Sequence, residues 1–493
     1  MFTYLVLTLL VIAWLDTMLG RAAKWPLWTA PALTGAAFLL SLVQWAVAPA
    51  ESFQYGLHFH PAGYVLTAVI CFISWLVQSF ALRNLAGNRL QRRTLRYLVG
   101  LTLALILFSI ADHLALMVLG LGLSNFLLSR LIAHYHGWDA ARHSGRMALR
   151  SLGLATLLLG VAVGVIYFQT GTLTLSGLSA ASLDGLGTGV VLASIILAAL
   201  LQSANWPLHG WLIASANAPT PISAFMHAGL VNGGALILYK FFPLLQGAEW
   251  SFMVLFVMGA ITAVIGTAWM LVQSDIKRTL TCSTVGQMGF MVMQCGLGLF
   301  PAALTHMIWH GLFKASLFLG AGSAITAPTN KSLRLRGSKG LIILALGLGT
   351  GAAGAFIFYQ FTSTLGSLDS TYLLLLLFCG LTIAHTVMSL LRDGLTLPRL
   401  ALAELVALGG ATLYGASVWW LEGAFTYVAA QPLQIGHWVV TGIFAGFWLA
   451  SLFRPYLPDA TTQHYLSALY VRMLRFSQPR NQGLTLLRER YRA

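Results

Sequence analysis

Stretches of about twenty apolar residues recur along this chain from Phe2 to about Phe453, and each is long enough to cross a bilayer as an α-helix. Lipid offers no water to an unpaired peptide group, so such stretches must satisfy their hydrogen bonds internally. The spans fall at about 3–19, 26–48, 64–82, 97–111, 113–132, 147–168, 187–204, 221–242, 252–272, 281–299, 302–324, 340–362, 371–391, 400–421 and 434–453. They predict an all-α polytopic membrane protein of roughly fifteen transmembrane helices. No intervening segment is long enough for a soluble domain. Only 8% of the residues are charged, against about 25% in a soluble domain. The first stretch has no charged side chain before Asp16, and Arg21 and Lys24 follow it. That arrangement reads as a retained helix, not a cleaved signal.

The formal net charge of +15 would suggest nucleic acid in a soluble protein. Here the cations cluster in alternate connections, which is the signature of topology. Arg21 and Lys24 lie in the first loop, Arg83 to Arg96 in the third, and Arg142 and Arg146 in the fifth. Lys277 and Arg278 lie in the ninth, Lys331 to Lys339 in the eleventh, and Arg392 and Arg399 in the thirteenth. The seventh loop, with only His209, breaks the pattern. The balance puts the N-terminus outside and the C-terminus in the cytoplasm, with lipid and no nucleic acid as partner.

Four cysteines lie singly in apolar segments and have no metal-ligand spacing, so they read as buried thiols. His58 and His60 form an H-x-H pair at the outer surface, without the third ligand a metal site needs. The tail after Pro458 alternates apolar and basic residues: Tyr465, Leu469, Arg472, Met473, Arg475 and Phe476, then Leu486 to Arg490. It reads as an amphipathic helix on the inner leaflet or as a docking element for a cytoplasmic partner.

A charge at mid-bilayer costs about 2.5–3.5 kcal/mol on insertion scales, so ionisable groups there point to function. The densest set is His306, His310 and Lys314 in A-L-T-H-M-I-W-H-G-L-F-K. Spacings of i, i+4 and i+8 place them on one helix face, about 6 Å apart per step. Histidine suits proton relay because its pKa lies near neutrality. His227 follows Pro219 and Pro221, which punctuate a helix start. Pro207 interrupts the preceding span, and Gln202 sits just before that break. Broken helices at membrane depth commonly mark ion sites in transporters. Asp112, with His113, falls between the fourth and fifth spans, either as a wet turn or as an end of the path. Lys240 lies near an outer helix end, where it could snorkel, and Glu404 a few residues into the fourteenth span. His385 lies alone in the thirteenth and reads as a satisfied core histidine.

The segments S-A-N-W-P-L-H-G-W-L, A-P-T-P-I-S-A-F-M-H-A-G-L-V-N, D-I-K-R-T-L-T-C-S-T-V-G-Q-M-G-F and H-M-I-W-H-G-L-F-K-A-S-L-F-L resemble those of proton-translocating antiporter-like subunits. That superfamily includes the L, M and N subunits of respiratory complex I and the large Mrp antiporter subunits. The resemblance implies two inverted five-helix repeats, each with a broken helix. Residues 97–246 and 250–395 would be the repeats, flanked by helices at 1–96 and 400–455 and a tail at 456–493. His227, His306, His310 and Lys314 would lie on the central hydrophilic axis, and Asp275 and Lys277 match the family's loop motif.

The departures are also specific. Complex I subunits have a glutamate in the fifth helix, where M-V-L-G-L-G-L-S-N has none. They have a lysine before S-A-x-x-P, where this chain has Gln202, and another in the second broken helix, where Gly347 to Leu365 has none. The wording H-A-G-L-V-N-G-G, S-T-V-G-Q-M-G-F-M-V-M-Q-C and H-G-L-F-K-A-S-L-F-L is similar to the DabB, or MpsA, family. These are membrane subunits of two-component inorganic-carbon accumulation systems. The resemblance implies a DabA-like cytoplasmic partner, itself similar to a β-carbonic anhydrase, that carries the zinc. This chain would hold no cofactor and no catalytic residue, and would conduct cations, most simply protons. The rivals are a redox-complex or Mrp-type proton-pumping subunit and a passive membrane anchor.

Overall fold

The computed structural model describes residues 2–23, 26–47, 51–178, 183, 185–322, 337–391, 394–425, 427–453 and 459–478. Among these residues every expected span coincides with a helix. In chain order they are α1 Phe2–Ala23, α2 Thr29–Val47, α3 Pro61–Asn84, α4 Gln91–Ile110, α5 Leu114–Ile132, α6 Asp139–Thr170 and α7 Gly185–Gln202. The eighth is broken into α8a Thr220–Ala228 and α8b Gly233–Lys240. There follow α9 Glu249–Val272, α10 Ile276–Gly296, α11 Phe300–Leu319, α12 Gly337–Thr362, α13 Tyr372–Leu391, α14 Leu397–Glu422, α15 Ile435–Phe453 and the tail helix α16 Asp459–Phe476. Eleven helices, the broken one counted as a single span, are long and apolar enough to cross a membrane by composition. The polar helices α10 and α11 are not among those eleven.

Alternate connections meet at opposite ends of the bundle. At one end short bridges join Leu57 to Ala111, His113 to Thr174, Leu299 to Val428 and Ser370 to Pro432, and the Tyr4 hydroxyl donates to Gln54 Oε1 at 3.0 Å. At the other end Arg96 Nη2 donates to the Thr17 carbonyl at 3.0 Å, Lys277 Nζ to the Ala218 carbonyl at 2.9 Å and Gln273 Nε2 to Ser477 Oγ at 2.7 Å. The parity expected from the basic loops is therefore that of the fold. The seventh connection, poor in cations, lies under Lys277 of the ninth. Of the residues behind the topology expectation, Lys24, Lys331, Arg334, Arg336, Arg392, Arg454 and Leu486 to Arg490 lie outside the described residues.

Three local features differ from expectation. Helix α6 starts at Asp139, about two turns before the apolar stretch, because its basic first turns are helical in water. Residues Ser52–Gln54 and Leu57–Phe59 form an antiparallel hairpin whose turn residues, Tyr55 and Gly56, both have positive φ, as a tight two-residue turn requires. The break implied for the second repeat is not present: α12 runs without interruption from Gly337 to Thr362.

The main core runs from α3 through α11. Its tightest seam joins α9 to α10. A Cβ at Gly259, Gly266, Gly289 or Gly296 would come within 2.2–2.4 Å of a backbone nitrogen on the partner helix. Small residues of this kind let membrane helices pack backbone to backbone, and here they fix the polar face of α10 against α11.

Candidate functional site

The polar stripe of α11 is assembled as its spacing requires. Lys314 is buried and its Nζ donates to the Leu280 carbonyl at 3.1 Å. His310 is buried, and its Nε2 has no protein partner among the described residues. Its ring centroid lies 6.0 Å from that of His306, too far for a direct nitrogen–nitrogen bond. His306 sits between two amides, with Nδ1 2.9 Å from Gln294 Oε1 and Nε2 3.0 Å from Gln287 Oε1. A neutral imidazole donates at one nitrogen only, so a tautomer change there must accompany an amide turn. The Tyr414 hydroxyl of α14 donates to the Ala302 carbonyl at 3.2 Å and lies near Gln294. The His306 end is not sealed: His306 is half-buried and Gln287 exposed.

His227 ends α8a, fully buried, with its ring stacked on Phe318 of α11 at 4.4 Å. Both of its ring nitrogens lack a protein partner. It lies within electrostatic range of Lys314 and His310. The approach depends on Gly311, where a Cβ would fall 2.6 Å from the Ala228 carbonyl oxygen. A cavity of about 60 Å³ lies beside the break, lined by Asn232, Gly229 and apolar side chains of α3, α4 and α11.

The backbone freed by the break is satisfied by side chains. Gln202 Nε2 donates to the Leu230 carbonyl at 3.2 Å, Ser203 Oγ to that of Val231 at 3.0 Å and Asn232 Nδ2 to that of Ala228 at 2.8 Å. Gln202 also exchanges two 3.1 Å amide hydrogen bonds with Asn125 of α5. Asn125 Nδ2 lies 3.0 Å from Thr156 Oγ1 as well. Gln202, where the resemblance implies a lysine, therefore meets a side chain of α5, the helix in which it implies a glutamate, and both are neutral.

At the hairpin end Asp112 is buried, which settles against a wet turn. Its two carboxylate oxygens accept from the Ser176 amide and hydroxyl, each at 3.0 Å. The Gly56 carbonyl accepts from the amides of Asp112 and His113 at 2.9 Å, so the hairpin turn closes over this corner. Lys240 does not snorkel outward: its Nζ donates to the Ala111 carbonyl at 2.9 Å. The His58 ring stacks on Phe53 and on His60 and lies 3.7 Å from Glu51. Burial lowers the pKa of His58. Burial, then His58 and Lys240, push that of His60 down to about 3. No third His, Cys, Asp or Glu joins them into a metal-holding group among the described residues.

At the opposite end Asp275 caps α10 by accepting from the Arg278 amide at 2.8 Å. Lys277 reaches past it to the seventh connection, where its Nζ meets Ala218. Two expected residues stand apart. Glu404 accepts from Thr350 Oγ1 at 2.7 Å, which places it between α14 and α12 and not on the stripe. His385 is not a core histidine, because its side chain is exposed on the outer face of α13. Gln287, Gln294, Asn125 and Ser176 are partners that sequence reasoning missed. The spacing of Gln287 and Gln294, seven apart on one face of α10, was the available signal.

The transmembrane family described as NADH:quinone oxidoreductase/Mrp antiporter matches residues 111–346. Among curated proteins, the chain is 40% identical over 273 residues to the probable inorganic carbon transporter subunit DabB of Bacillus subtilis (strain 168), covering 54% of each. It is 36% identical over 277 residues to the probable subunit DabB1 of Halothiobacillus neapolitanus, covering 55% of this chain and 50% of that one. It is also 33% identical over 264 residues to NADH-ubiquinone oxidoreductase chain 5 of Schizophyllum commune, covering 52% and 38%. The chain thus spans about half the length of the DabB relatives it matches. Among solved structures, the Mrp complex from Dietzia sp. DQ12-45-1b matches with TM-score 0.57 at 22% identity, over 96% of this chain and 51% of that one. The archaeal membrane-bound sulfane sulfur reductase matches with TM-score 0.59 at 16% identity, over 96% of both chains. These two likenesses speak for the fold alone.

Proposed function

From a membrane core of the NADH:quinone oxidoreductase/Mrp antiporter family at residues 111–346, we propose that this chain is the ion-conducting membrane subunit of an inorganic-carbon accumulation complex. Protons enter at the hairpin end, where Asp112 is buried and Lys240 holds the Ala111 carbonyl beside it. They pass the His227, His310 and Lys314 cluster and leave toward the cytoplasm near Lys277. Their flow drives one-way hydration of CO2 to bicarbonate on a DabA-like cytoplasmic partner, which carries the zinc. This subunit does no bond chemistry itself. The setting is the bacterial inner membrane, with the N-terminus outside and the C-terminus in the cytoplasm.

One observation carries this reading. Three imidazoles and an ammonium converge in a lipid-solvated bundle, and three of the imidazole nitrogens lack a protein partner. Burying such groups without function is costly, and histidine is suited to passing protons near neutral pH. The energy suffices, because one charge crossing about 150 mV releases about 3.5 kcal/mol. At about 1.4 kcal/mol per tenfold ratio, that sustains a few hundredfold accumulation per charge.

The neutral Asn125–Gln202 pair favours a second reading, a passive anchor for the cytoplasmic enzyme. Bicarbonate uptake by cells carrying His310→Ala or Lys314→Ala separates the two. Conduction predicts uptake abolished while the complex still assembles, and an anchor predicts uptake unchanged. Copurification with quinone-linked subunits would instead support the redox-pump rival.

A further inference from the structure

A second polar feature lies away from the stripe, where α5 ends and α6 begins. Gly145 of α6 packs on the end of α5 so closely that a Cβ would fall 2.6 Å from the Ala133 Cβ. That approach brings Arg130 of α5 beside Arg142 and Arg146, one turn apart on α6. Together with His136 they line a pocket of about 410 Å³. Arg142 pairs with Asp139, and neither Arg130 nor Arg146 has a carboxylate partner among the described residues. His136 lies 2.6 Å from Arg93. Its pKa is lowered by burial, then by Arg93, Arg130 and Arg142. Three arginines in the lining, of which Arg142 pairs with Asp139, make the mouth electropositive.

The wall below is of the opposite character. Leu149 lines the pocket, and Leu149 and Phe126 are 42% and 48% exposed on what is the lipid-facing surface. With 32 residues, α6 extends about 48 Å against a hydrocarbon core of about 30 Å. Its first turns, with Arg142 and Arg146, therefore overhang the interface, and Leu149 lies one turn deeper. We infer that this pocket holds the phosphate headgroup of an anionic phospholipid, with the arginines on the oxyanion and an acyl chain along Phe126 and Leu149. A free anion would use the arginines and leave the apolar wall idle. The site is independent of ion conduction.

The test is binding of labelled phosphatidylglycerol to the detergent-solubilised full chain, with phosphatidylcholine and inorganic phosphate as competitors. Phosphatidylglycerol is expected to bind, and neither competitor to displace it at equal concentration. Each arginine near a membrane surface is worth about fivefold, so Arg130→Gln with Arg146→Gln should weaken binding about 25-fold. Leu149→Gln keeps the arginines and should also weaken the lipid. Displacement by phosphate, with Leu149→Gln silent, would assign the pocket to a free anion and overturn the lipid. Competition by phosphatidylcholine as strong as by phosphatidylglycerol, or undiminished binding in the double arginine variant, would overturn the site.

Discussion

At the scale of single residues, two kinds of buried polar group coexist in this membrane core and should answer differently to mutation. The Asn125–Gln202 amides are mutually satisfied, so each is costly to remove alone. Gln202→Leu leaves the Asn125 amide and the Leu230 carbonyl short of partners, and should cost about 1–3 kcal/mol. Replacing both amides by leucine removes most of the orphaned groups and should recover part of that loss. Thermal unfolding of the parent chain, the two single variants and the double variant in detergent measures the coupling; strict additivity would mean the pair is not a unit. His60 tests the other sign. Its folded pKa of about 3 lies below the ordinary histidine value, so the unfolded hairpin binds the extra proton. Stability is full above about pH 6.5 and falls as pH drops through the window toward 3, by up to about 1.4 kcal/mol per unit. Once the intrinsic slowing of amide exchange in acid is divided out, protection of residues 52–59 should fall on acidification from pH 7 to 5, and His60→Gln should flatten the response.

At the scale of elements, the α9–α10 seam sets the geometry of the stripe from behind. Gly289 faces Ala263 with no space for a Cβ, the obstacle being backbone. Gly289→Ala must therefore push α10 away, at about 1–3 kcal/mol. With α10 go Gln287, Gln294 and the Leu280 carbonyl, the partners of His306 and Lys314. The expected outcome is a lowered melting temperature and reduced bicarbonate uptake in the same variant; normal uptake would show that these partners do not matter. The helices themselves were legible because apolar length is a one-dimensional property, and the α11 stripe because i, i+4 spacing is one as well. The partners were not, since Asn125 and Gln202 are 77 positions apart and meet only through packing. The early start of α6 escaped for a related reason: a hydropathy pattern marks where lipid begins, not where a helix does. His385 was misplaced because membrane depth was readable and the face of the helix was not.

At the scale of the whole molecule, the proposed direction of flow depends on which end faces the cytoplasm. The bundle has an end rich in cations and a hairpin end. The first gathers Arg83, Arg92, Arg93, Arg96, Arg130, Arg142, Arg146, Lys277 and Arg278, while the second carries Glu51, Asp112 and Glu249. Charge bias of this kind orients membrane proteins with the basic end inside, so the hairpin end and the Asp112–Lys240 corner should face out. Cysteine labelling can decide this with little background, because Cys71, Cys282 and Cys295 are buried and only Cys379 is partly accessible. In a Cys379→Ala background, Tyr55→Cys sits on the exposed hairpin turn, and Trp138→Cys on the exposed turn before α6. A membrane-impermeant maleimide added to intact cells should modify position 55 and spare position 138 until the membrane is opened. The reverse pattern would turn the path around. Inward proton flow would then have to enter beside Lys277, and a partner on the cytoplasmic side would face the hairpin and the buried carboxylate.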